Sequence, residues 1–273
     1  MRTICFVSDR TGVTAETMGH SLLSQFEGLR FRTVTMPFVS SVEQARGVVG
    51  RINTIAQQEG SRPIIFCTLV DDQVRATVKR ANGLFLDFFA AFLGPLETEL
   101  AMASAHASGR ALHGASSDPT YAARINAVNF ALANDDGAGA RNYRSADVIL
   151  IGVSRSSKTP TSLYMALQYG IFAANYPLAE EDLESGDLPS VLLPHRSKLY
   201  GLTIKPERLQ QIRSERRPGS RYASAQQVLY EVRSADSLLQ RLSLPFIDVT
   251  DCSIEEIASR ILDQMGLVRH ARM

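Results

Sequence analysis

The residues whose types and spacing could do chemistry crowd into one stretch, Gly152, Val153, Ser154, Arg155, Ser156, Ser157, Lys158 and Thr159, with Pro160 after it. The spelling approaches Gly-x-x-x-x-Gly-Lys-[Ser/Thr], a loop whose successive backbone N–H groups surround phosphate oxygens. In such a loop the lysine brings a mobile positive charge to the phosphates, and the hydroxyl after it can ligate Mg²⁺. Lys158 and Thr159 occupy those two positions, while Ser157 replaces the second glycine. Serine reaches positive φ only at a cost of roughly 1 kcal/mol or more, but it does not by itself prevent close approach to a phosphate. Pro160 suits the first turn of a helix, where its missing N–H costs least. The competing explanation is that a strand-to-helix turn in any α/β protein collects Gly, Ser and Thr.

Phosphoryl transfer also needs a group to accept a proton and groups to neutralise charge. Asp135 and Asp136 in "NDDG" could hold Mg²⁺ or act as base, although Asp-Asp-Gly is an ordinary turn signal too. Asp9 in "SDRTG" follows the first apolar run, at the edge of an open sheet where ligands collect. His113 in "LHG" is the histidine best placed for phosphate contact or proton transfer; His20, His195 and His270 are not singled out. Arg155 could clamp a second phosphate. Arg213, Arg216, Arg217 and Arg221 in "IRSERRPGSRYAS" could receive an acceptor phosphate or an acidic partner face, or could simply favour a helix C-terminus.

The elements that must position these residues follow from periodicity. In the first hundred residues, strands Thr3–Ser8, "FRTVTMPF", Pro63–Val70 and "LFLDFF" alternate with helices, one from about Val42 to Gln58 and one capped by Asp71 or Asp72. From 106 to 145 the pattern becomes loop-like around a single helix, "YAARINAVNFALA". A second alternating unit starts at "ADVILIGVS" and runs directly into the quoted loop. It continues through a helix over Lys158–Tyr169, a short run "IFAANYPL", a strand "KLYGLTI", two helices, a strand "PFIDVT" and a helix over Ser253–Met265 with a capping box of Ser253 and Glu256. The expected class is α/β in two lobes with mainly parallel sheets, the C-terminal one P-loop-like: residues 1–105, a linker or hinge at 106–145, and residues 146–273. "TICFVSDRTGVTAET" and "VILIGVSRSSKTPTS" also echo each other as strand, hydroxyl-rich turn and helix.

Composition excludes several classes. The 273 residues are 45% hydrophobic and 21% charged, and 29 Lys plus Arg nearly cancel 28 Asp plus Glu, so no bulk field argues for nucleic acid or an anionic membrane. The apolar run at the N-terminus is too short for a signal peptide and no segment reaches membrane-span length. Three widely spaced cysteines, Cys5, Cys67 and Cys252, suggest neither a disulfide framework nor a zinc site. A reduced, cytoplasmic protein is expected, and its size makes a homodimer a reasonable guess.

"SDRTGVTAET", "RINAVNFALANDDG", "GVSRSSKTPTSLYMALQYGIFAANYPL" and "IRSERRPGSRYAS", in that order, make the whole chain resemble the bacterial phosphoenolpyruvate synthase regulatory proteins, relatives of the pyruvate, phosphate dikinase regulatory proteins. Ser157 departs from the glycine typical of that family's loop. The resemblance implies a bifunctional enzyme that uses ADP to phosphorylate a threonine of phosphoenolpyruvate synthase, releasing AMP, and removes that phosphate with inorganic phosphate, releasing pyrophosphate. It makes Gly152 to Thr159 the ADP segment, within which the chemistry of phosphoryl transfer sets Lys158 at the β-phosphate and Thr159 at Mg²⁺. The same chemistry on pyruvate, phosphate dikinase is the first alternative. A non-catalytic ADP sensor and a conventional ATP-dependent small-molecule kinase are the others.

Overall fold

The computed structural model describes residues 2–26, 28–104, 119–137 and 140–268. They fall into two compact units, one within Met1–Ala111 and one within Leu112–Met273.

In the first unit, β1 (Arg2–Val7), β2 (Phe31–Met36), β3 (Ile64–Cys67) and β4 (Leu84–Asp87) form one parallel sheet in the order β2-β1-β3-β4. Period-two alternation divides its core. Cys5, Val7, Ile65 and Cys67 pack against α2 (Val42–Glu59) and α3 (Asp72–Val78) on one face. Ile4, Phe6 and Phe66 meet α1 (Val13–Leu23) and the start of α4 (Phe88–Leu100) on the other. Asp71, the first of the two candidate caps, closes α3 by accepting from the Gln73 and Val74 amides at 2.9 Å.

The second unit repeats the plan. Its sheet has the parallel order β6-β5-β7-β8, from β5 (Val148–Gly152), β6 (Ala173–Pro177), β7 (Leu199–Thr203) and β8 (Phe246–Asp248). All five β5 residues are buried, as expected of a strand covered on both faces. Val148, Leu150, Tyr200 and Leu202 pack toward α6 (Lys158–Tyr169), α8 (Pro206–Arg216) and α10 (Ile254–Met265), and Ile149, Ile151 and Leu199 pack on the opposite face. α5 (Pro119–Ala133), expected in the linker, packs within this unit, where Ala127 and Ala131 meet Ala166 of α6. α7 (Glu180–Ser185) and α9 (Ala225–Arg241) complete it. The two echoing stretches thus become the same strand, turn and helix in two sheets of the same order. In each sheet the first strand is flanked by the strands on either side of it, so the chain's direction of travel switches at that strand's carboxyl end, the place where open α/β sheets bind ligands.

Three local expectations change. The strand over "LFLDFF" stops at Asp87, whose carboxylate accepts from the Ala90 amide at 2.9 Å and starts α4; Gly94 and Pro95 within that helix hide its periodicity. α7 falls between the run "IFAANYPL" and the strand "KLYGLTI", where periodicity predicts no element, because six residues are too few to display a helical period. At α10 only half of the capping box forms. Ser253 Oγ accepts from the Glu256 amide at 3.2 Å, while the Glu256 carboxylate turns to Arg260. Among the described residues no helix is long and apolar enough to cross a membrane.

Candidate functional site

The loop leaves β5 at Gly152, where only a glycine fits: a Cβ there would lie 2.2 Å from the Leu202 carbonyl oxygen of the adjacent strand. The chain then folds back on Val153. The Val153 carbonyl accepts from Ser156 Oγ at 3.0 Å, from the Ser156 amide at 3.3 Å and from Lys158 Nζ at 2.8 Å. Arg155 at φ 76° and Ser157 at φ 62° take left-handed conformations, which turn the chain into α6. Ser157 therefore fills the glycine position in the strained manner, a cost of order 1–2 kcal/mol. It supplies no side-chain cap, so the first-turn amides of α6 stay available to an anion.

Lys158 is 4% exposed, and burial lowers its pKa to about 8, against the opposing pull of Asp136 and Asp135; Arg213 and Arg155 push it further down. The two carboxylates lie in the 3₁₀ turn Asp135–Gly137 that follows α5. Thr159 Oγ1 donates to Asp135 Oδ1 at 2.8 Å, and Asn175 Nδ2 donates to the same oxygen. Asn175 in turn accepts from the Asp136 amide at 2.9 Å, fixing the turn against β6. Asp136, Ser154, Arg155, Ser157, Lys158 and Thr159 line a cleft of about 280 Å³, whose wall is completed by Pro160 and Ile212.

Among the described residues no three His, Cys, Asp or Glu side chains gather as a metal cage. A Mg²⁺ ion does not require one. It commonly takes one or two protein oxygens and completes its shell with water and substrate phosphates, and Thr159 Oγ1 beside Asp135 fits that role.

Of the candidate residues, the fold brings Lys158, Thr159, Asp135 and Asp136 together. Asp9 belongs to the first unit, at the carboxyl end of β1; its Oδ2 is buried without a hydrogen-bond partner, and burial raises its pKa. His113 lies outside the described residues. Arg213 is not a free phosphate receiver: it is fully buried and paired with Glu231 at 2.6 Å. Arg221 pairs with Glu180, and Arg216 and Arg217 are exposed. Asn175 escaped the sequence reading; its only signal was an amide side chain in the run "IFAANYPL". A larger groove of about 430 Å³, between α2 and α3 and lined by Arg46, Gln73 and Arg80, lacks any comparable lysine and carboxylate cluster, so size does not select the site.

Comparison with known proteins agrees on identity. The family model described as kinase/pyrophosphorylase matches residues 4–262. A phosphoenolpyruvate synthase regulatory protein of Marinobacter nauticus, so named, is 51% identical over 269 residues, covering 98% of this chain and 99% of the relative. One of the same name from Burkholderia thailandensis is 53% identical over 269 residues, with 98% of each chain covered.

Proposed function

The chain belongs to the kinase/pyrophosphorylase family, and from that premise we propose that it moves the β-phosphoryl group of ADP to a threonine hydroxyl of phosphoenolpyruvate synthase and removes it again with inorganic phosphate. The forward step breaks the bond between the β-phosphorus and the oxygen bridging to the α-phosphate, forms a bond to the threonine oxygen, and releases AMP and the threonine proton. In the reverse step an oxygen of inorganic phosphate attacks the phosphothreonine phosphorus, the bond from that phosphorus to the threonine oxygen breaks, pyrophosphate leaves, and the proton carried by the incoming phosphate restores the threonine hydroxyl. The observation that carries this reading is the burial of Lys158 on a loop that ends at an uncapped helix start, beside two carboxylates.

The roles follow from placement. The open amides of α6 and the Lys158 ammonium bind the β-phosphate, exchanging the lysine's bond to the Val153 carbonyl for a phosphate oxygen. Thr159 and Asp135 would hold Mg²⁺, whose charge would offset that of the phosphate oxygens. Asp136 lines the cleft, and its carboxylate has no hydrogen-bond partner among the described residues, so it accepts the threonine proton. Arg155, on the exposed side of the loop, meets the second phosphate. Asp9 and His113 retain no role in this account. ADP, Mg²⁺ and inorganic phosphate are the chain's small ligands and a protein is its target. The reading is tested by incubating the protein with ADP, Mg²⁺ and either the synthase or pyruvate, phosphate dikinase, and following AMP and phosphothreonine. AMP that forms only with the synthase present supports it; AMP formed without any protein target, or phosphothreonine formed only when ATP replaces ADP, contradicts it.

A further inference from the structure

Ser154, in the middle of the loop, is held at two atoms by residues from elsewhere in the second unit. Its carbonyl accepts from Arg213 Nη2 at 3.1 Å, and its hydroxyl lies 2.9 Å from Tyr222 Oη. Arg213 comes from α8 and Tyr222 from the 3₁₀ turn Arg221–Ala223. The guanidinium is 0% exposed, stacks 4.1 Å from the Tyr222 ring centroid and donates to the Tyr222 carbonyl at 3.1 Å. Nη2 also meets Glu231 of α9 at 2.6 Å, and the other Glu231 oxygen accepts from Gln227 at 3.0 Å.

A buried ion pair often adds no stability over well-packed apolar side chains, so its burial alone does not account for this arrangement. What arginine supplies is a rigid planar fork with donors in fixed directions, which lysine lacks. Here one nitrogen of that fork serves a carboxylate and a loop carbonyl together. Because the peptide unit is planar and trans, a Ser154 carbonyl drawn toward Arg213 turns the Arg155 N–H to the opposite side. Arg155 then continues in the left-handed region, the alternation that makes backbone amides converge on an anion.

We propose that Arg213 is a positioning residue for the loop: with Tyr222 and Glu231 it fixes the plane of the Ser154–Arg155 peptide, so that the Arg155 amide is presented to a phosphate in the cleft. This rests on the reading that the loop binds a nucleoside diphosphate. The brace extends the site into α8 and α9, more than fifty residues downstream of the loop.

Two measurements on the full chain decide it: amide hydrogen exchange of residues 153–159 in the free protein, and ADP titration. Tyr222→Phe removes one hydroxyl and keeps the ring under the guanidinium; Arg213→Lys keeps the charge and loses the fork. Loop exchange about tenfold faster in both variants, with exchange in β5 and the melting temperature preserved in Tyr222→Phe, is the expected result. ADP affinity falls about three- to tenfold in Tyr222→Phe, as one hydrogen bond implies. Ser154→Ala combined with Tyr222→Phe is no weaker than the more damaging single change, since both remove the same bond. Unchanged loop exchange in Tyr222→Phe overturns the proposal, as does a loosened loop with unchanged ADP affinity. Exchange rising throughout the unit together with a lowered melting temperature also overturns it, leaving a purely structural role. Failure of the wild type to bind ADP sinks the nucleotide reading separately, and loop exchange still decides the brace.

Discussion

Thr159 Oγ1 donates to Asp135 Oδ1 at 2.8 Å, joining the end of the loop to a turn that precedes it by 24 residues. The hydroxyl that would ligate Mg²⁺ and the carboxylate that would support it are therefore in direct contact. Replacing Asp135 by Asn is expected to lower ADP affinity in Mg²⁺ by about 10- to 100-fold. Affinity in EDTA is expected to change by less than about threefold. Titration with and without the metal separates the two, and an equal loss in both would rule out the metal role.

Lys158 yields a pH prediction with a definite sign. Its folded pKa of about 8 lies below that of an unfolded lysine, about 10.4. Phosphate binds the charged form, so ADP affinity is highest below about pH 8 and weakens by up to tenfold per unit above it, with proton uptake on binding. Calorimetry in buffers of different ionisation enthalpy reads that uptake; uptake absent at pH 9 would count against the lysine.

The same shift acts on stability. Between about pH 8 and 10.4 the unfolded chain holds a proton that the native chain has released, so this group's contribution to stability rises with pH across that window. Cys5, at about 11, and Cys67 and Tyr143, at about 12, act in the opposite direction but are common to wild type and Lys158→Met. The difference between their urea midpoints over the window isolates the lysine. The wild-type curve is expected to gain on the variant, and parallel curves would show an ordinary lysine pKa.

Ser157 at φ 62° makes two substitutions diverge. Ser157→Gly releases the left-handed strain but adds unfolded-state entropy, so stability is expected to stay within about 1 kcal/mol of wild type with ADP binding kept. Ser157→Val places a β-branched side chain where it is most strained and should lower both stability and ADP affinity. Thermal melts and titration check the pair; a tolerated valine would mean that the loop turns in some other way.

Gly152→Ala puts a methyl group 2.2 Å from a backbone oxygen, that of Leu202, which cannot rotate away. A loss of about 1–3 kcal/mol or more is expected, the scale of an overpacked core. A melting temperature equal to wild type would mean that β5 and β7 separate easily.

The alternation of strands and helices, the α/β class and the loop's place after β5 were legible because apolar periods of two and about 3.6 are written locally. The meeting of "NDDG" with Lys158 and Thr159 was only a guess from residue type, because it depends on Asn175 carrying the turn onto β6, a contact across 40 residues. Arg213 shows the limit of composition most clearly. As text it is one of several arginines near a helix end, and only tertiary packing reveals it as a buried guanidinium on the loop's own backbone. α4 was hidden for a local reason, the Gly94 and Pro95 pair, which favours a break that surrounding contacts override.

The central claim is that this loop delivers the β-phosphoryl group of ADP to a protein. The most direct test incubates the wild type and Lys158→Ala with Mg²⁺, [β-³²P]ADP and purified phosphoenolpyruvate synthase, and follows label on the target. Label on a synthase threonine with the wild type, released as pyrophosphate when inorganic phosphate is added and absent with Lys158→Ala, is the predicted result. No label with a competent synthase, or equal label with the alanine variant, would contradict it.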